Sequence, residues 1–116
     1  MEKIYLIARF AVQNGKTAEF KRIAEQCIEA VIKYELGKTC YQYDWFFSDD
    51  DKECHVIEAY SNSNAVMAHM GNVGELLGQL AQFSSLSGEI YGSISDELKA
   101  ALQGADIKVF NSFKGA

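Results

Sequence analysis

The 116-residue chain has no proline, one tryptophan, two histidines, three cysteines and no excess of positive charge. Each shortage excludes something. Cys27, Cys40 and Cys54 form no CxxC pair, and an odd number of thiols cannot pair completely within one chain, so a disulfide scaffold is excluded. With only His55 and His69 beside them, no zinc pattern of the usual spacing can be written, and no metal is expected. The net charge of −5 repels phosphate backbones and anionic surfaces, so neither a nucleic-acid nor a membrane partner is expected. No run approaches the roughly 18 apolar residues of a membrane span. The start, Met1-Glu2-Lys3-Ile4, alternates at once and lacks a charged region leading into an apolar one. No signal peptide is expected, and reduced thiols fit a cytoplasmic location. The missing proline carries no functional reading of its own.

What remains is an ordinary globular composition, 48% hydrophobic and 23% charged, which excludes disorder. The length suits a single domain over residues 1–116. Lys3 to Val12 reads as a strand that is apolar on one face and nearly so on the other. Gln13-Asn14-Gly15 is turn material, and a helix follows from Lys16 to Leu36. Its stripe of Phe20, Ile23, Ala24, Cys27, Ile28, Val31 and Tyr34 follows the helical spacing, with Gly37 placed for a left-handed cap. A second strand, Cys40 to Ser48, carries the aromatic row Tyr41, Tyr43, Trp45 and Phe47. Asp49-Asp50-Asp51-Lys52 reads as a solvated hairpin connection to a third strand, Glu53 to Tyr60. Ser61-Asn62-Ser63-Asn64 offers caps for a second helix to Phe83, striped by Val66, His69, Met70, Val73, Leu77 and Leu80. Gly71, Gly74 and Gly78 predict a bend or break in that helix near Gly71, or else a close approach by a neighbour. A strand at Ser87 to Ser93, a short helix opened by Ser95-Asp96-Glu97-Leu98, and an extended piece from Ile107 to Phe113 complete the chain.

The order β-α-β-β-α-β with an appended helix and strand predicts an α+β, ferredoxin-like subunit, with both main helices on one face of an antiparallel sheet. Two helices cover one face only, yet the first two strands are apolar or aromatic on both faces or nearly so. An uncovered face of that kind is a large exposed apolar patch. The economical cover is a second copy packed sheet to sheet, so a homodimer is expected.

Three stretches, Tyr43-Asp44-Trp45-Phe46-Phe47-Ser48-Asp49, Val56-Ile57-Glu58-Ala59-Tyr60 and Ala68-His69-Met70, closely resemble the antibiotic-biosynthesis monooxygenase family, whose members are dimeric α/β barrels with a ferredoxin-like subunit. The resemblance implies oxidation of a small aromatic phenol or quinol by molecular oxygen, with no metal, flavin or haem. No GxGxxG, phosphate loop, HExxH or GxSxG stands against it. Haem-degrading members of the same fold carry a later histidine in the second helix and a tryptophan at the end of the third strand. Here those places read Glu75-Leu76-Leu77-Gly78-Gln79 and Tyr60, so haem is not expected.

Phenol deprotonation needs an apolar slot, a proton acceptor and a donor to hold the anion. His69 matches the family's helix-two histidine, and an imidazole accepts protons near neutrality. Tyr43, Trp45 and Tyr60 are candidates to line the slot. Asn72, one turn after His69, is a candidate hydrogen-bond donor, and Tyr91 a further lining residue. Glu58, a carboxylate in an apolar strand, needs either a raised pKa or a partner, and the preferred reading is a structural pair with Arg9. Set against the enzyme is a non-catalytic dimeric barrel that binds a small hydrophobic ligand.

Overall fold

A strand that is apolar on both sides belongs in the middle of a sheet, and the first strand lies there. In the computed structural model, which describes residues 3–116, β1 (Ile4–Val12) is the centre of a five-stranded sheet of order β2-β3-β1-β4-β5. The other strands are β2 (Cys40–Phe47), β3 (Glu53–Tyr60), β4 (Ser84–Tyr91) and β5 (Ile107–Phe110). β1 pairs antiparallel with β3, from Ile4 opposite Tyr60 to Ala11 opposite Glu53, and with β4, from Tyr5 opposite Tyr91 to Val12 opposite Ser84. β2 runs antiparallel to β3, whereas β5 runs parallel to β4. The α+β, ferredoxin-like arrangement is therefore the fold of this chain, with helices α1 (Thr17–Tyr34), α2 (Ser63–Leu80) and α3 (Asp96–Ala101).

The core lies between the sheet and the two long helices. From β1 it takes Ile4, Ala8, Phe10 and Val12, from β3 Cys54, Val56 and Tyr60, and from α1 Phe20, Ile23, Ala24, Cys27 and Val31. Burying a side chain such as Phe20 contributes about 2 kcal/mol, and Phe20 also meets Phe10, Trp45 and Phe47 edge-on at centroid separations of 5.3, 6.3 and 5.9 Å. β2 sends Tyr43, Trp45 and Phe47 to this side. Tyr41 leaves the row because the β2–β3 register shifts between Cys40 and Gln42, which turns the Tyr41 ring to the surface.

Several boundaries differ from expectation. α1 ends at Tyr34, because Glu35 caps it and the backbone then reverses at Gly37, whose φ of +79° suits a residue without a side chain. β4 starts earlier, at Ser84, and ends at Tyr91, and β5 stops at Phe110. α2 does not break: it is one helix from Ser63 to Leu80, capped by Asn62, whose side chain accepts from the Ala65 amide. Nor do its glycines admit a close neighbour, since a Cβ at Gly71, Gly74 or Gly78 would meet open space. Sterics do require Gly88, where a Cβ would collide with the Ile7 carbonyl oxygen of the adjoining strand.

The expected Arg9–Glu58 pair does not form. Glu58 stands opposite Leu6 on the helix-covered face, and Arg9 stands opposite His55 and Ser87 on the other. Arg9 instead grips Glu89, with Nε 3.1 and 3.2 Å from its two carboxylate oxygens and Nη2 2.8 Å from one. Around that pair the face opposite the helices leaves Tyr5, Phe46, Ile57 and Phe110 exposed.

Candidate active site

Glu58 and His69 meet because β3 and α2 are consecutive elements packed through the core. Glu58 alternates with Cys54, Val56 and Tyr60 on the covered face of β3. His69 falls on the buried stripe of α2 between Val66 and Val73. Glu58 is 5% exposed and His69 6%. The His69 Nε2 lies 3.7 Å from the Glu58 Oε1, and the Tyr60 hydroxyl donates to that same oxygen at 2.5 Å. Burial pushes the Glu58 carboxyl up to about 7, opposed by the neighbouring His69 and by the Tyr60 hydrogen bond. Burial beside the Glu58 charge raises both Tyr60 and Tyr43 well above the ordinary phenol range, so both hydroxyls stay protonated.

The third member of the cluster, Glu35, was not among the candidates read from the sequence. It is 1% exposed, and its two carboxylate oxygens lie 3.0 and 3.1 Å from the His69 Nδ1. The Asn72 side-chain amide donates to the same carboxylate at 3.0 Å. A signal for Glu35 was present: it extends the Phe20, Ala24, Cys27, Val31 stripe by one helical step, so a carboxylate occupies a place where the pattern calls for an apolar side chain. The turn that follows then locks it, its carbonyl accepting from the amides of Lys38, Thr39 and Cys40 at 2.9, 2.9 and 3.1 Å.

These groups form the polar end of a cavity of about 150 Å³. Tyr43, Glu58 and His69 line that end, Phe10, Trp45, Val56, Val66 and Met70 the apolar walls, and Leu86, Leu102, Ala105 and Ile107 the far side. The appended C-terminal elements thus complete the wall. Trp45 stacks on Phe10 with centroids 5.8 Å apart and planes 11° apart, and Tyr43 meets Trp45 edge-on. The rings of Tyr43 and Tyr60 each lie 5.1 Å from the His69 ring. The Trp45 Nε1 is buried without a hydrogen-bond partner.

The structure therefore brings His69, Glu58, Tyr43 and Trp45 to one cavity, with Tyr60 behind Glu58. Asn72 reaches the cluster only through Glu35. Tyr91 is placed elsewhere, on the opposite face of the sheet, where it stacks on Phe110 and its hydroxyl lies 3.4 Å from Glu89. Strand alternation decides this, since Tyr91 is paired with Tyr5 rather than with its covered neighbours. Among the described residues no group of three or more His, Cys, Asp or Glu side chains is placed to hold a metal ion. Glu35 and Glu58 address opposite ring nitrogens of His69, so the three cannot converge on one ion. No described helix is long and apolar enough to cross a membrane.

Residues 3–74 match the family model described as antibiotic biosynthesis monooxygenase. Comparison with curated proteins finds no match. Among solved structures, MupZ from Pseudomonas fluorescens superposes with a TM-score of 0.85 at 20% identity, over 98% of this chain and 93% of that one. Rv0793 from Mycobacterium tuberculosis gives 0.69 at 17% identity, over 81% and 97%. A Caulobacter crescentus protein described as a candidate antibiotic biosynthesis monooxygenase gives 0.68 at 22%, over 76% and 86%. At these identities the likeness is one of fold.

Proposed function

The chain belongs to the antibiotic biosynthesis monooxygenase family, and from that premise we propose that it oxidises a small phenol or quinol with molecular oxygen, without a prosthetic group. The observation that carries the proposal is the 3.7 Å gap between the His69 Nε2 and the Glu58 Oε1. It is too long for a hydrogen bond, and both groups line an otherwise apolar cavity. A ligand hydroxyl entering there comes within reach of both. A largely apolar cavity of about 150 Å³ is of the size that accepts a benzene-sized ring, which favours a single-ring substrate.

The hydroxyl proton passes to the His69–Glu58 pair. Between an ordinary phenol near 10 and an ordinary imidazole near 6.5, this transfer costs ~5 kcal/mol. Hydrogen bonds to charged groups contribute ~1.5–3 kcal/mol each, so two or three of them close the difference. The contact between the phenolate and the new imidazolium supplies one, and the Glu35 carboxylate on the far ring nitrogen supplies another. The phenolate then gives one electron to oxygen. The phenoxyl radical and superoxide combine at a ring carbon, and the hydroperoxide loses water to leave a quinone. Phenol plus oxygen thus becomes quinone plus water, with no external reductant.

The protein is also proposed to work as a homodimer joined through the open face of the sheet, which exposes Tyr5, Phe46, Ile57 and Phe110. Sedimentation equilibrium tests that part, and a monomer at micromolar concentration would reject it. The activity is tested by oxygen uptake from metal-free protein over a panel of quinols and polyphenols, beside His69→Ala. Uptake above the uncatalysed rate that falls at least tenfold in the variant is expected. Ligand binding without uptake would reject oxidation and favour a non-catalytic ligand-binding barrel.

A further inference from the structure

We infer that Glu35 is a positioning residue that keeps the proton of the neutral His69 ring on Nδ1 and so leaves Nε2 open as an acceptor toward the cavity. A neutral imidazole carries one N–H, and two buried carboxylates here compete for it. Glu35 offers both oxygens to Nδ1, at 3.0 and 3.1 Å. Glu58 offers one oxygen to Nε2, at 3.7 Å, and that oxygen already accepts from Tyr60. The two short contacts hold the proton against the single long one. Glu35 keeps its place because its backbone is locked in the turn after α1 and Asn72 donates to its Oε2. Glu58, raised to about 7 by burial, carries less negative charge near neutrality and is the weaker competitor.

The opposite tautomer would present an N–H to the cavity, leaving no lone pair there for a substrate proton. Fixing the ring in its acceptor orientation is what a carboxylate behind a histidine does in an acid–base site. The catalytic meaning of the assignment rests on the acceptor role proposed above for His69, but the tautomer is a property of the resting protein. Absence of oxygen uptake would overturn the former and leave the latter standing.

The test is a long-range proton–nitrogen NMR spectrum of the uniformly 15N-labelled full chain, at a pH where the His69 ring is neutral. The expected result is a protonated Nδ1 and a bare Nε2, unchanged in Glu58→Gln. In Glu35→Gln, which preserves shape and exchanges one acceptor oxygen for an amide donor, the two nitrogens exchange character as the proton moves to face Glu58. A wild-type ring protonated on Nε2 would overturn the assignment, as would a Glu35→Gln ring indistinguishable from wild type. Should Glu35→Gln fail to fold, the wild-type and Glu58→Gln spectra still decide, since either one protonated on Nε2 overturns it.

Discussion

Replacing Glu58 by Gln should make this protein more stable at alkaline pH and leave it nearly unchanged in acid. Glu58 is fully covered, and burial raises its carboxyl from an ordinary 4.5 to about 7. Between those values the folded chain holds a proton that the unfolded chain has released. Stability therefore falls as pH rises through this window, and the loss is complete above the folded value. At 1.36 kcal/mol for each unit, the ionisation costs about 3 kcal/mol. Glutamine keeps the shape and the carbonyl that accepts from Tyr60, but it cannot ionise. Urea unfolding of both proteins at pH 4, 6, 7 and 8.5 should give a stability difference near zero in acid that grows to about 3 kcal/mol in favour of Glu58→Gln. In a chain of this size that is a melting shift of roughly 10 °C. Titrating groups remote from Glu58 are common to both proteins and largely cancel. A difference that stays flat with pH would refute the buried, raised carboxyl. One that grows in favour of wild type would mean that the His69 attraction outweighs desolvation.

Three further outcomes check other parts of the argument. Tyr60→Phe removes the hydroxyl that donates to Glu58 and should cost ~1–3 kcal/mol by denaturant unfolding, more at pH 8 than at pH 5, because the ionised carboxylate loses more. Asn62→Ala removes the N-cap of α2 and should cost about 1 kcal/mol in the same assay. Gly74→Ala adds a methyl into open space on an unbroken helix and should raise stability by ~0.5–1 kcal/mol; a loss instead would show that this face is covered.

Much of this was legible along the chain because it depends on local period and spacing. The apolar stripes of α1 and α2 set which sides they bury, and the two-faced apolarity of β1 is that of the central strand it proves to be. His69 stood out as the one ionisable group on the α2 stripe, and Glu58 as a carboxylate in an apolar strand. The errors come from relations between distant segments. Alternation shows that Arg9 and Glu58 each have a face, but the strand register decides whether the faces agree, and they do not. The glycines of α2 suggested a break by propensity alone. Packing of Val66, Val73 and Leu80 into the core keeps that helix continuous against a cost of about 1 kcal/mol per glycine.

The sequence by itself determined the elements, their order and the sheet with helices on one face, and it singled out Glu58 on β3 and His69 on α2. Only the tertiary structure decided that Glu35, 34 positions before His69, faces its Nδ1 while Glu58 faces Nε2. The same holds for Tyr91, which the sheet sends to the opposite face, and for Leu102, Ala105 and Ile107, which close the cavity. The reason is physical. Hydrophobic period fixes how a residue points within its own element, whereas a site is made by the packing of elements whose separation along the chain carries no information about their distance in space.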